Sequence, residues 1–232
     1  MAKVCVIAGV GPGNGASLCR KFSSEGHTVA MLARNEQYLR DLAEQIPNCL
    51  AFPCDVSSPE AINRVFKDIR DRLGPAETLI YNAGSGLWTG VMETTAENLY
   101  DSWAINVRGL LLSAQQVIPA MLENEKGSIV VIGATASLRG GATSTAFASA
   151  KAGQRSLAQS MARDLGPKGI HIGYVIIDGI IDLERTRARL PDKPDAFFMR
   201  ASSIAKSVYM LTEQERSAWT FELDLRPFGE RW

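Results

Sequence analysis

An open, doubly wound α/β domain, a parallel sheet of about seven strands with helices on both faces, is the fold this sequence predicts. Three observations lead to it. Short apolar runs alternate with helix-period segments along the whole chain, and strands joined through helices cross over, which aligns them parallel. The runs are apolar at consecutive positions, as in strands covered on both faces. Finally, 232 residues with 46% hydrophobic content suit one large domain over residues 1–232, with no second domain required.

Taken in order, Val4–Ala8 is the first strand, followed by a glycine turn and a helix-period run to Ser24. The runs Thr28–Ala33, Leu50–Cys54, Thr78–Tyr81, Ile129–Ile132, Ile170–Ile177 and Trp219–Leu225 supply the other strands. Asp55-Val56-Ser57-Ser58-Pro59-Glu60 opens a helix, since a short polar side chain caps free amides and proline suits the first helical position; Leu73-Gly74-Pro75 closes it. Segment 183–200 breaks the rhythm with Arg185, Arg187, Arg189, Pro191 and Pro194, then Phe197-Phe198-Met199. It reads either as a mobile substrate flap or as a surface excursion anchored by its aromatic pair.

Lys+Arg and Asp+Glu are both 25, and the basic residues are scattered, so neither nucleic acid nor an anionic membrane is an expected partner. A small-molecule ligand is. Cys5, Cys19, Cys49 and Cys54 lie singly, which predicts buried free thiols in a reducing compartment. His27 and His171 stand far apart with no Cys/His cluster, so no metal site is expected. The opening apolar run is too short for a signal-peptide core, and no stretch of some 18 apolar residues occurs. A soluble, cytoplasmic protein is the expectation.

Directly after the first strand stands Gly9-Val10-Gly11-Pro12-Gly13-Asn14-Gly15, with a helix beyond it. Glycines in a strand-turn-helix of this Rossmann type let the backbone approach a pyrophosphate, whose charge the helix N-terminus favours. Gly9, Gly13, Asn14 and Gly15 are the candidate contacts. The second strand ends Ala33-Arg34-Asn35, without the acid that bonds a ribose 2′-hydroxyl in NAD-binding proteins. Arg34 suits a 2′-phosphate instead, with Asn35 beside it as a further candidate contact, so NADP(H) is the expected cofactor and NAD(H) the possible substitute. At the third strand's end, Asp55 suits the adenine amino group, with Val56 beside the ring, or a cap on the next helix, and the two roles need not exclude each other.

These residues, with Tyr81-Asn82-Ala83-Gly84 and Ile105-Asn106-Val107, resemble the short-chain dehydrogenase/reductase family over essentially the whole chain. The glycine turn is similar to that family's T-G-x-x-x-G-x-G with Ala8 for threonine. The resemblance implies that Asn82, Ala83 and Gly84 stand beside the cofactor, that Asn106 kinks a helix and holds a proton-relay water, and that Lys151 binds the nicotinamide ribose. It also implies a homodimer or homotetramer, built on helices such as the small-residue helix around Ala146–Gly153.

The family's chemistry rests on Ser, Tyr and Lys. Here the lysine stretch reads Phe147-Ala148-Ser149-Ala150-Lys151, with phenylalanine in the tyrosine's place, and the family spacing puts the serine position on Ala134. The motif after the sixth strand, P-G-x-I-x-T in the family, is Asp178-Gly179-Ile180-Ile181-Asp182-Leu183, which keeps Ile181 at the cofactor. Lys151 and Asn106 are therefore the surviving catalytic-centre residues, unless Lys151 is a surface lysine. Candidate proton donors are Lys151 itself through an ordered water on Asn106, Thr135, Ser137 and Asp178, the last three each with a bland alternative: loop hydroxyls bonding their own backbone, and a turn or capping aspartate. Two functions follow: an NADP(H)-dependent oxidoreductase acting on a small, apolar substrate, or a catalytically silent NADP(H)-binding sensor or assembly subunit.

Overall fold

The computed structural model describes residues 3–229. Its strands are β1 Val4–Ala8, β2 Thr28–Ala33, β3 Cys49–Pro53, β4 Thr78–Tyr81, β5 Gly127–Ile132, β6 Ile170–Ile177, β7 Ile180–Ile181, β8 Phe198–Met199 and β9 Glu222–Leu225. Its α-helices are α1 Asn14–Ser24, α2 Glu36–Gln45, α3 Pro59–Leu73, α4 Ala96–Trp103, α5 Gly109–Glu123, α6 Thr145–Leu165, α7 Glu184–Arg189 and α8 Ala201–Thr212. Seven strands make one sheet in the order β3-β2-β1-β4-β5-β6-β9, parallel throughout. The single-domain doubly wound fold is therefore the observed one.

Both faces of the sheet are buried, which is why its strands read as unbroken apolar runs. Along β1, Val4, Val6 and Ala8 join one core with α3, α5 and α6, while Cys5 and Ile7 join another with α1, α2 and α8. From β1 the chain winds outward through β2 to β3, then returns across β1 to β4. That reversal opens a crevice at the carboxyl ends of β1 and β4, where ligands of such sheets bind.

Three strands differ in extent from the sequence reading. Strand β3 begins and ends one residue earlier than Leu50–Cys54, and β5 begins at Gly127. Strand β9 begins at Glu222 rather than Trp219, because Arg216–Ala218 forms a 3-10 turn and the Trp219 ring leaves the strand to stack on His171 at 4.9 Å. All four cysteines are free and buried. Among the described residues no helix is long and apolar enough to cross a membrane.

Segment 183–200 has structure of its own. Helix α7 is followed by a 3-10 turn at Asp195–Phe197 and by β8, which pairs with β7. Arg187 bridges Asp182 at 2.7 Å and Asp195 at 2.6 Å while its guanidinium lies 4.1 Å from the Phe198 ring centroid. Phe198 is buried and Phe197 half-buried, their ring centroids 5.2 Å apart. The segment's first residue also reaches the glycine turn: Leu183 Cδ2 lies 2.5 Å from where a Cβ on Gly13 would stand.

At Gly9 the backbone has φ +90, and a Cβ there would lie 2.4 Å from Ala83 N. Gly9→Ala therefore combines left-handed strain with a backbone clash, and is expected to lower stability by about 2–4 kcal/mol. Denaturant unfolding of the variant checks this through a lowered midpoint at unchanged slope.

Candidate active site

The glycine turn closes against β2, where Gly9 N and Val10 N both donate to Leu32 O at 2.9 Å. Gly13 is the N-cap of α1 and brings no capping side chain, so the first amides of the helix have no side-chain acceptor. Nothing lies within 4 Å of the missing Cβ of Gly11. At Gly15 a Cβ would lie 2.6 Å from Val10 Cα, so only glycine lets α1 pack this closely on the turn. The Asn14 side chain is buried and its Oδ1 has no partner among the described residues.

Arg34 is exposed at the end of β2. Asn35 next to it is the N-cap of α2, its Oδ1 accepting from Tyr38 N at 3.0 Å, so its side chain is already engaged. Asp55 is half-buried, and its Oδ1 accepts from Ser57 N at 2.9 Å and Ser57 Oγ at 2.7 Å. The capping alternative for Asp55 is corrected here: Ser58 caps α3, accepting from Ala61 N at 3.1 Å. Val56 is buried beside it.

Asn82 ties the turn after β4 to the glycine turn, donating from Nδ2 to Gly9 O at 2.7 Å. Ala83 is buried against Gly9, and Gly84 is exposed. Asn106 sits in a π-helical turn, Ala104–Arg108, between α4 and α5. Its Nδ2 donates to Ser102 O at 2.8 Å and Ser85 Oγ at 3.0 Å, while its buried Oδ1 has no partner among the described residues.

Lys151 is buried on α6, so the surface-lysine alternative is corrected. Its Nζ donates to Ile132 O at 2.8 Å and to Gln154 Oε1 at 2.9 Å. Burial pulls its ammonium down to about 7. One point gathers this half of the site: a Cβ on Gly84 would lie 3.3 Å from Asn106 Oδ1 and 3.6 Å from Lys151 Nζ. Sequence reasoning found both of those side chains but missed Gln154, whose only signal was a polar residue one helical turn after the lysine, on the same face.

Phe147, one turn before Lys151, is half-buried with its ring centroid 5.1 Å from that of Trp88. Ala134 is half-buried at the end of β5 and offers no hydroxyl. Thr135 does not bond its own loop, which corrects that reading; its hydroxyl donates to Asp178 Oδ1 at 2.6 Å. Asp178 also pairs with Arg226 at 3.4 Å. Ser137 does bond its own loop, donating to Ala134 O at 2.7 Å. Ile181 is half-buried in β7.

The residues present fit a dinucleotide. An uncapped helix start and a glycine cradle suit phosphates, and the unpartnered acceptors Asn14 Oδ1 and Asn106 Oδ1 suit hydroxyl or amide donors.

The short chain dehydrogenase family matches residues 3–193, and the chain belongs to that family. Carbonyl reductase family member 4 of Xenopus laevis is 26% identical over 218 residues, covering 92% of each chain. A short-chain dehydrogenase from Rhodopseudomonas palustris has 32% sequence identity and a TM-score of 0.84, covering 97% of this chain and 99% of that one. A metagenomic short-chain oxidoreductase in complex with NADP has 24% identity and a TM-score of 0.85, covering 98% of each chain. The chain is thus an oxidoreductase by family.

Proposed function

We propose that this protein is an NADP(H)-dependent oxidoreductase that reduces or oxidises a small, apolar substrate at a site lacking the family's serine and tyrosine. The observation that carries the reading is Lys151, an ionisable group kept buried at the crevice, held among the described residues by two carbonyl oxygens. A buried charge costs stability, and a perturbed lysine in a cleft marks a working site. The cofactor, when bound, supplies or accepts hydride. The chain's own part is to seat the phosphates on the glycine turn and α1, hold the ribose with Lys151, and set Asn106 beside it. The NADP complex of the metagenomic relative supports the choice of nicotinamide cofactor.

Phe147 and Ala134 leave nothing at their positions to hold a carbonyl oxygen. That favours a substrate needing no such hydroxyl, such as an iminium or an activated alkene, and Trp88 against Phe147 gives it an apolar wall. The same Phe147 favours the second reading, a silent NADP(H)-binding sensor or assembly subunit. A screen of ketones, imines and enones with NADPH separates the two: turnover of any class supports the enzyme, and binding without turnover supports the silent protein.

Arg34 carries the preference for NADP(H). Arg34→Ala is expected to weaken NADPH binding by about 10–100-fold, the worth of one or two charge-assisted hydrogen bonds, and to leave NADH binding unchanged. Equal losses for both cofactors in a fluorescence titration contradict the assignment. The protein works in the cytoplasm as a homodimer or homotetramer. Supporting assembly, Leu99, Tyr100, Trp103 and Leu111 are exposed on α4 and α5, and Ser149, Ala152, Ser156 and Ser160 form an exposed small-residue stripe on α6.

A further inference from the structure

Gln154 follows Lys151 by one turn of α6 and is fully buried. A buried amide has to use both of its ends, and this one does. Its Oε1 accepts from Lys151 Nζ at 2.9 Å, and its Nε2 donates to Asn106 O at 2.9 Å. That carbonyl belongs to the π-helical turn Ala104–Arg108, where the α-helical ladder is interrupted and a main-chain acceptor is free to take a side-chain donor. One side chain thus spans the lysine and the asparagine backbone with no room for a solvent link between them.

The polarity of this bridge is fixed. A carboxylic acid or a water can take a proton at one end and give one at the other, whereas an amide oxygen only accepts and an amide nitrogen only donates. Gln154 therefore conducts no proton from Lys151 to the Asn106 carbonyl. With Ile132 O at 2.8 Å as the second acceptor, two vertices of the lysine nitrogen are taken. The third holds a proton in the ammonium and a lone pair in the amine, and Gly84 comes close to Nζ, its missing Cβ 3.6 Å away.

Building on the oxidoreductase reading, we propose that Gln154 is a positioning residue that ties Lys151 to the Asn106 carbonyl and fixes the lysine nitrogen where it would hold the cofactor ribose. With Ile132 O and Gln154 Oε1 bonded, the amine has no N–H left over and the ammonium has one, so the ammonium is the form that would hold the ribose.

The shift of Lys151 has burial as its cause, with no charged neighbour contributing. The ionisable side chain bonded to this residue is Tyr174 of β6, whose hydroxyl donates to Lys151 O at 3.4 Å; burial pushes it up to about 12, so it stays neutral. Changing Gln154 therefore acts on Lys151 directly and also releases the Asn106 carbonyl. In full-length protein without cofactor, with lysine side chains carbon-13 labelled and Lys151→Arg used to assign the signal, Gln154→Glu is expected to raise the Lys151 titration midpoint by about one unit or more. Gln154→Met, which removes an acceptor, is expected to lower it.

The pH profile of kcat for enone reduction is expected to move with the midpoint in each variant, with KM little changed. A midpoint that moves while the pH profile of kcat stays in place in either folded variant overturns the proposal, since a merely structural glutamine shifts the lysine by charge alone and leaves turnover unmoved; Gln154→Glu keeps the test open should Gln154→Met fail to fold. Natural protein that neither binds NADPH nor turns over any substrate overturns the oxidoreductase reading separately, even where the midpoints move.

Discussion

Phe147→Tyr is expected to raise ketone reduction with NADPH by about 10²–10⁴-fold, the usual contribution of a positioned general acid. The position lies one helical turn before Lys151 on the same face of α6, so a phenol there stands next to the ammonium of a lysine that burial has already brought to about 7. A nearby positive charge lowers a phenol's pKa and readies its proton. Phe147 already holds its ring against Trp88, so the new side chain adds one oxygen without repacking the wall. Steady-state NADPH consumption over a ketone panel reads the effect, and Phe147→Tyr combined with Ala134→Ser should exceed either change alone. If the double variant binds NADPH and still leaves ketones untouched, the geometry around Lys151 is not the one assigned.

Lys151 gives the second large effect, on stability. The unfolded chain keeps its lysine proton up to the ordinary 10.5, and the folded chain releases it at about 7. Between those values the unfolded state binds more protons, so stability climbs with pH, by at most about 1.4 kcal/mol per unit, and the burial penalty is full below about 7. Lys151→Met removes the buried charge. The variant is expected to be more stable than the natural protein at and below neutral pH and to lose the climb above it. Chemical denaturation at a series of pH values checks both; parallel curves for the two proteins would mean that the lysine is charged throughout and better solvated than its burial implies.

How much of this was legible in the residues depends on the length over which each signal repeats. The sheet strands announced themselves because both of their faces are covered, giving unbroken runs such as Ile170–Ile177. The β7–β8 pair, with two residues in each strand, has no periodicity to read and comes from the tertiary fold around Phe198 and Arg187. The glycine turn was legible because its backbone geometry admits little else: φ is +90 at Gly9 and +109 at Gly13. The caps were only half legible. Asn35 and Asp55 are residue types suited equally to a ligand, a cap or a turn, and the choice rests on which amide lies nearby: Tyr38 N for one, Ser57 N for the other.

The polar interior of the site was the least legible. Lys151 and Asn106 stood out through resemblance, but the contact that joins them runs through Gln154, 48 positions from Asn106 in sequence. Nothing local marks a glutamine in a helix of small residues as a buried bridge. Its partners exist only because the π-helical turn frees a carbonyl and α6 packs beside it.

The central claim is that the glycine turn, Arg34 and Lys151 together hold NADP(H). Calorimetric titration of NADPH and NADH into the purified protein tests it most directly. The account predicts one site per chain, with NADPH bound at least about 10-fold more tightly than NADH; the absence of heat and of competition with either cofactor would contradict it.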